Sequence, residues 1–252
     1  MNRMNDLNCL LAEKLVEDIK KDHEASGIAV AIIDKSGKTQ YEKFWGVRDL
    51  ESGKEVNGDT IFGLASVTKS FTALSIMQLE EKGMIDLDAP ISQYIPEFTN
   101  KNQSKKVTVR HLLSHAGGFF PLPRILVGNV AESLGLDEEK DGDFAYNDAV
   151  AQEGVKLVAE RLDAQTKENG LNGQPGEYLS YCNDGFGLLS DIIRRYGGEP
   201  SYADYLVKHV LKPLGMERSF CDFVRPSKDE NAATLYKKVD GVMRGSRDYH
   251  DN

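Results

Sequence analysis

The sequence predicts an α/β protein in which a short β-hairpin accompanies several helices. The continuous apolar run at residues 28–33 predicts a buried strand, and residues 39–47 predict a second strand after a turn at residues 35–38. Residues 5–22 place leucine or isoleucine at every fourth position, which is typical of an amphipathic helix. Further helices are predicted at residues 66–82, 108–115, 146–162, 184–196 and 201–210.

Residues 119–145 predict a long loop, a kind of segment that often forms a lid or the rim of a binding site.

Composition is that of an ordinary soluble protein. The chain has 252 residues and a net charge of −9, which argues against nucleic acid or an anionic membrane as a partner. No run of 18 apolar residues occurs, and residues 1–22 are charged throughout, without the apolar core of a signal peptide. We therefore expect a cytoplasmic protein, or a secreted one whose signal peptide has been removed.

Cysteine and histidine spacing does not predict a metal site or a disulfide framework. The three cysteines, Cys9, Cys182 and Cys221, are odd in number and far apart. His111 and His115 are four residues apart on a predicted helix, but the glutamate of a His-Glu-x-x-His zinc motif is absent. We expect a structural role for both histidines, and neither a metal nor a cofactor.

The most informative stretch is the start of the helix at residues 66–82, where Ser66 precedes Lys69 by one turn. A hydroxyl becomes a good nucleophile when a nearby base takes its proton, and a desolvated lysine can be that base. The helix N-terminus favours the negative charge that develops on the serine. The alternative is a serine that caps the helix and a lysine that is merely solvated.

Several further motifs occur with this Ser-x-x-Lys pair, and together they identify a family. The motifs are Ala-Ser-Val-Thr-Lys at 65–69, His-Leu-Leu-Ser-His-Ala-Gly-Gly at 111–118, Gln-Pro-Gly-Glu at 174–177, Tyr-Cys-Asn at 181–183 and Pro-Leu-Gly-Met at 213–216. Over roughly residues 10–222 the chain resembles the serine β-lactamase-related family of class C β-lactamases, D-alanyl-D-alanine carboxypeptidases, other penicillin-binding-protein-like enzymes and esterases. The resemblance implies an antiparallel sheet flanked by helices plus a mostly helical domain. It implies that residues 1–65 form the N-terminal part of the α/β sheet domain, with its helix and hairpin, that residues 66–205 form the helical domain, and that residues 206–252 return toward the sheet domain.

The resemblance also assigns roles that agree with the chemistry of the residues. Ser66 would be the nucleophile and Lys69 its proton acceptor, with Tyr181 sharing the base role because a neighbouring cation lowers the pKa of a phenol. Asn183 would bind the substrate amide and fix Lys69. Taken alone, Tyr181 could instead be a core tyrosine, and Asn183 could be a helix N-cap.

The chain departs from the family pattern near its end. Residues 219–252 contain no Lys-Thr-Gly or His-x-Gly, the third catalytic motif, whose strand would supply one N–H of the oxyanion hole beside that of Ser66. We expect a C-terminally truncated member without its last sheet strands. The bare sheet edge would then favour self-association.

The function that these observations predict is that of a serine hydrolase. Its substrate would be a small-molecule ester, an amide such as a D-amino-acid peptide, or a β-lactam, which would form an acyl-enzyme on Ser66. The alternative is a catalytically impaired fragment or a non-enzymatic binding module of the same fold.

Overall fold

The computed structural model of the chain describes residues 6–102, 105–141, 147–166, 171–222 and 224–247. The chain divides into two compact units. The first comprises Met1–Ala65 and Met216–Asn252, and the second comprises Ser66–Gly215. Residues 206–215, which we expected in the return segment, thus belong to the unit that contains most of the helices.

The first unit begins with helix α1 (Asp6–His23), followed by strands β1 (Gly27–Ile33) and β2 (Thr39–Gly46). The two strands pair antiparallel, with Gly27 opposite Gly46 and a register shift at the turn end. The predicted strands and their hairpin connection are therefore confirmed, but the prediction that the first strand is buried is wrong, because every residue of β1 is partly or fully exposed. Apolar β-branched residues favour the strand in β1, and Gly37 adopts the positive φ of 79° that the tight turn requires.

The first unit also contains a second hairpin, which the sequence analysis missed. After the short helix α9 (Val224–Lys228), strands β3 (Leu235–Val239) and β4 (Val242–Ser246) pair antiparallel. They are joined by Asp240 and Gly241, whose φ angles of 51° and 80° suit the two-residue turn preferred in hairpins. The sequence analysis predicted only the first hairpin, whereas the described strands form two separate two-stranded sheets.

The second unit is helical. A 3₁₀ turn at Ala65–Val67 leads into α2. Its helices are α2 (Thr68–Glu81), α3 (Val109–Leu113), α4 (Val127–Ser133), α5 (Glu138–Asp141), α6 (Asp148–Asp163), α7 (Asn183–Tyr196) and α8 (Tyr202–Leu206), which continues as a π-helical turn at Val207–Leu211. The segment predicted as a long loop therefore holds two short helices, whereas residues 142–146 lie outside the described residues.

A main apolar core joins α2, α3, α6 and α7, and a smaller cluster of Val130, Ala131 and Val150 joins α4 to α6. Helix α7 is the most amphipathic of them, because its leucines and isoleucines recur at helical spacing on one face. Side chains from α2, α3, α6 and α7 meet in the core: Ile76, Leu79, Leu112, Ala159, Leu162, Leu188, Leu189, Ile192 and Ile193. Burying one such side chain is worth about 1.5–3 kcal/mol, so the core fixes α2 relative to α7. None of the helices described is long and apolar enough to cross a membrane.

Candidate active site

Ser66 lies in the 3₁₀ turn that leads into α2, and Lys69 follows one turn later. The residue before the serine, Ala65, has a φ of 44°, a left-handed conformation that is uncommon for a residue with a Cβ. The N-cap of α2 is Val67, which makes no side-chain capping bond. The alternative interpretation of Ser66 as a helix cap is therefore wrong.

The hydroxyl of Ser66 is the point on which two other polar groups converge. Lys69 Nζ donates a hydrogen bond to Ser66 Oγ over 3.0 Å. Tyr181 Oη, 115 residues further along the chain, donates to the same Oγ over 2.8 Å. The structure thus brings three of the four predicted site residues into direct contact.

Tyr181 is poised to lose its phenolic proton more readily than an ordinary tyrosine. A hydrogen bond with Lys69, and then one with Ser66, lowers the pKa of the Tyr181 phenol from its usual value. The Lys69 ammonium also lies 5.0 Å from the centre of the Tyr181 ring. With 46% of its surface exposed, Tyr181 is not a core residue, and that alternative interpretation is wrong.

Asn183 is close in sequence to Tyr181 but does not join the hydrogen-bonded cluster. It is the first residue of α7, whose N-cap is Cys182, so the N-cap interpretation of Asn183 is wrong. Among the described residues, no hydrogen bond connects the Asn183 amide to Lys69 or to another group, so the structure does not show it fixing the lysine. The Asn183 side chain is exposed, which leaves its amide accessible to a ligand.

The segment that carries Tyr181 alternates strictly in burial. Ser180 and Cys182 are buried, whereas Tyr181 between them points outward. Ser180 Oγ donates to the backbone oxygen of Phe119, which anchors the segment to the core. Burial raises the pKa of the Cys182 thiol to about 11, so this cysteine is a neutral packing residue and not a nucleophile.

The two histidines of the predicted short helix have different surroundings. His111 completes a capping box with Thr108: Thr108 Oγ1 accepts from the His111 backbone N–H, and His111 Nδ1 accepts from the Thr108 N–H. His115 instead stacks on Tyr181, a contact that the sequence analysis missed. The residues that the structure describes contain no group of three or more potential ligands that could hold a metal ion.

A separate cavity of about 520 Å³ lies in the first unit and contains none of the predicted site residues. Asp49 lines this cavity, and its carboxylate already accepts hydrogen bonds from Ser52 and Thr234. These bonds hold the pKa of Asp49 well below its usual range. The carboxylate is therefore satisfied by the fold itself, and the cavity adds no group to the chemistry at Ser66.

The fold and the Ser66–Lys69–Tyr181 cluster together define the class of β-lactamase/transpeptidase-like proteins. A family model described as Beta-lactamase matches residues 12–251 of the chain. The chain therefore belongs to the beta-lactamase family.

Two curated relatives show the range of the family. Esterase EstB of Burkholderia gladioli is 32% identical over 213 residues, which is 82% of this chain and 50% of the relative. Penicillin-binding protein 4* of Bacillus subtilis (strain 168) is 30% identical over 209 residues, 82% of this chain and 40% of the relative. The chain thus spans half the length, or less, of these curated relatives.

Solved structures give the same result for the fold. The octameric penicillin-binding protein homologue from Pyrococcus abyssi superposes with a TM-score of 0.75 at 30% identity, covering 96% of this chain and 50% of that one. A class C β-lactamase superposes with a TM-score of 0.68 at 23% identity, covering 94% and 57%. The β-lactamase/transpeptidase-like fold predicted from the sequence is confirmed.

Proposed function

We propose that the protein is a serine hydrolase that transfers an acyl group from its substrate to Ser66 and then to water. The observation that carries this proposal is the convergence of Lys69 Nζ and Tyr181 Oη on Ser66 Oγ, at 3.0 and 2.8 Å. A nucleophile within hydrogen-bonding distance of its base, with a third group that orients the base, is the arrangement that acyl transfer requires.

In this mechanism the proton of Ser66 moves to Tyr181 or Lys69 as Oγ attacks the substrate carbonyl. The same proton then passes to the leaving alcohol or amine, and the acyl-Ser66 ester remains. A water molecule, deprotonated by the same groups, attacks that ester and regenerates Ser66. The lowered pKa of Tyr181 favours the phenolate as the acceptor, because less free energy is needed to remove its proton.

Esters, amides such as D-amino-acid peptides, and β-lactams all present the carbonyl that this mechanism needs. The names of the relatives include an esterase and a penicillin-binding protein, which supports a choice within this set. Asn183 is suited to bind an amide of the substrate, since its own amide is exposed at the first turn of α7.

A binding module without turnover is the second candidate. It is favoured by the strands β3 and β4, neither of which carries Lys-Thr-Gly or His-x-Gly. An oxyanion hole with one donor fewer would slow turnover by about 10²–10³. Such a protein would still form a covalent adduct with a reactive phosphonate, but only slowly.

The test is covalent labelling with a fluorophosphonate and, in parallel, with a penicillin, followed by mass spectrometry of the digested protein. We expect the adduct on the peptide that contains Ser66, and none in Ser66→Ala. Ser70→Ala is the matched control, because Ser70 is an exposed serine one turn further along the same helix. An adduct on another residue while Ser66 stays unmodified would contradict the proposal. An adduct on Ser66 in a protein that hydrolyses neither esters nor β-lactams over multiple turnovers would favour the binding module.

A further inference from the structure

We propose that His115 is a positioning residue, which holds the Tyr181 phenol against Ser66 by binding the backbone on both sides of Tyr181 and supporting its ring. This inference rests on the proposed function, since it concerns the base of the same reaction. It does not place His115 in contact with a substrate.

His115 forms hydrogen bonds with the backbone on both sides of Tyr181. The N–H of Ser180 donates to the carbonyl oxygen of His115 over 2.7 Å. The N–H of Cys182 donates to Nδ1 of the His115 ring over 3.2 Å. His115 thus accepts hydrogen bonds from the backbone N–H groups immediately before and after Tyr181. A shift of His115 would therefore move the tyrosine as well.

The ring contacts fix the direction of the phenol. The centre of the His115 ring lies 4.2 Å from that of Tyr181 with an interplanar angle of 33°, and 4.9 Å from that of Phe186 with an angle of 36°. Phe186 is buried in the core cluster. The His115 ring therefore contacts both the rigid core and the exposed ring of Tyr181, and so restricts the movement of the tyrosine.

The backbone of His115 is left-handed, with a φ of 53°. Histidine and asparagine tolerate this conformation better than most residues, and a β-branched residue does not. The bend lets the carbonyl group and the ring of the same residue face the 180–182 segment. A left-handed conformation outside glycine is strained, and such strain often accompanies functional sites.

The contact with Cys182 requires a neutral histidine, because Nδ1 must carry a free lone pair. Burial, and then the Lys69 ammonium on α2, lower the pKa of His115, so the ring is neutral at pH 7. The other groups on this side are the Tyr181 phenol, the neutral Cys182 thiol and Asp184, whose carboxylate accepts from the Leu122 N–H and from Cys182 Sγ. A protonated ring would lose its bond from Cys182 and repel Lys69.

Two variants separate the ring from the hydrogen bond. His115→Phe keeps an aromatic ring but loses the acceptor for the Cys182 N–H. His115→Asn keeps an acceptor near the position of Nδ1 and tolerates the left-handed backbone, but loses the stacking. Each variant is made in the parent chain and in Tyr181→Phe, and its folding is checked by the unfolding midpoint.

The first readout does not depend on activity. The ultraviolet titration of tyrosinate in the parent minus that in Tyr181→Phe reports the pKa of Tyr181 alone. We expect this pKa to rise toward its usual value in His115→Phe, with a smaller rise in His115→Asn. An unchanged Tyr181 pKa in both variants would overturn the inference, whether or not Ser66 is acylated.

The second readout is the rate of fluorophosphonate labelling at Ser66. We expect about a tenfold to 10²-fold loss in His115→Phe and partial recovery in His115→Asn, since small misplacements of a catalytic group have effects of this size. In the Tyr181→Phe background the same substitutions should change the rate little. An equal loss in both backgrounds would show that His115 only stabilises the fold, and would overturn the inference.

Discussion

The two units of the molecule bury their apolar side chains very differently. Among the described residues, every large side chain that is fully buried belongs to the second unit: Tyr205, Phe98, Phe119, Ile76, Leu79, Ile91, Ile95, Leu162, Leu188, Leu189, Ile192 and Ile193. In the first unit, α1 leaves Leu10, Leu11 and Leu15 more than half exposed, and only Val16 on its described face is buried. The second unit has a close-packed core of large side chains, whereas none of the large side chains described in the first unit is fully buried.

This difference explains where the candidate chemistry is located. Ser66 and Lys69 are carried by the turn leading into α2 and by α2 itself, and Tyr181 precedes α7. Both helices contribute side chains to the same core. A catalytic cluster must be held within a fraction of an ångström, and a packed core supplies that rigidity where a pair of two-stranded hairpins does not.

A substitution at the candidate site should abolish acylation of Ser66 while the core of the second unit stays intact. Lys69→Arg keeps a positive charge near Ser66 but supplies no group that can be deprotonated. If Lys69 acts as a base, we expect labelling and turnover to fall by about 10²–10⁴. The rate of fluorophosphonate labelling, the rate of substrate turnover and the thermal unfolding midpoint would be measured on the same preparation. The unfolding midpoint should stay unchanged.

The matched control for this substitution is Lys82→Arg, at the C-cap of the same helix. Lys82 lies 5.8 Å from the centre of the Tyr205 ring, a contact that arginine can replace. The labelling rate and the turnover of Lys82→Arg should equal those of the parent. A Lys69→Arg protein whose labelling rate stays within about threefold of the parent would exclude the role of Lys69 as a base.

Core substitutions test the comparison between the units directly. Leu189→Ala removes a fully buried side chain from α7, and we expect the free energy of unfolding to fall by about 2–5 kcal/mol. Leu15→Ala removes a side chain of the same size that is 60% exposed on α1, and the change should stay within about 0.5 kcal/mol. Urea unfolding followed by circular dichroism gives both values. Equal losses would mean that α1 is packed as tightly as α7.

The elements that the sequence predicted are those whose pattern is local. The first hairpin has an apolar strand and a glycine turn, and helices α2, α6 and α7 follow a helical period, so each could be placed within a few residues. The second hairpin was missed because Lys237, Lys238 and Arg244 interrupt its alternation. Its one strong signal was the Asp-Gly pair at 240–241, which we overlooked.

The candidate site shows the same limit. Ser66 and Lys69 are one helical turn apart, and the Tyr-x-Asn motif marked Tyr181, so the nucleophile and its partners could be proposed from motifs. The role of His115 could not, because it depends on a left-handed backbone and on contacts with residues 65 and more positions away. Sequence periodicity carries no information about such a contact.

The pH dependence of stability should reflect the histidines of the second unit. Burial is the main cause that lowers the pKa of both His111 and His115 below the ordinary value of 6.5. Between the lowered and the ordinary pKa the unfolded chain binds more protons than the folded one. Stability is therefore full above about pH 6.5 and falls as the pH is lowered through the folded pKa.

Thermal unfolding between pH 8 and pH 5 would measure this effect. We expect the midpoint to decline below pH 6.5, and His115→Asn to flatten part of the decline. A midpoint that rises on acidification would mean that the two rings gain protons on folding.

The smallest effect that we expect concerns self-association through the first unit. Strands β1 and β2 pair only with each other among the strands described, so each leaves backbone groups available at its outer edge. Ile33, at the end of β1, is 60% exposed. Such edges pair with other chains unless a charge or a bulge blocks them.

Sedimentation velocity over a range of protein concentrations would detect this association. We expect the parent chain to shift to larger species as its concentration rises, and Ile33→Lys to suppress the shift, because a lysine on an edge strand opposes pairing with a second copy. Val242→Lys adds the same charge to the exposed strand β4 and serves as the matched control. Suppression by Val242→Lys alone would assign the contact to the second hairpin, and a parent chain that stays monomeric at every concentration would show that the apolar surface of the first unit is insufficient to hold two copies together.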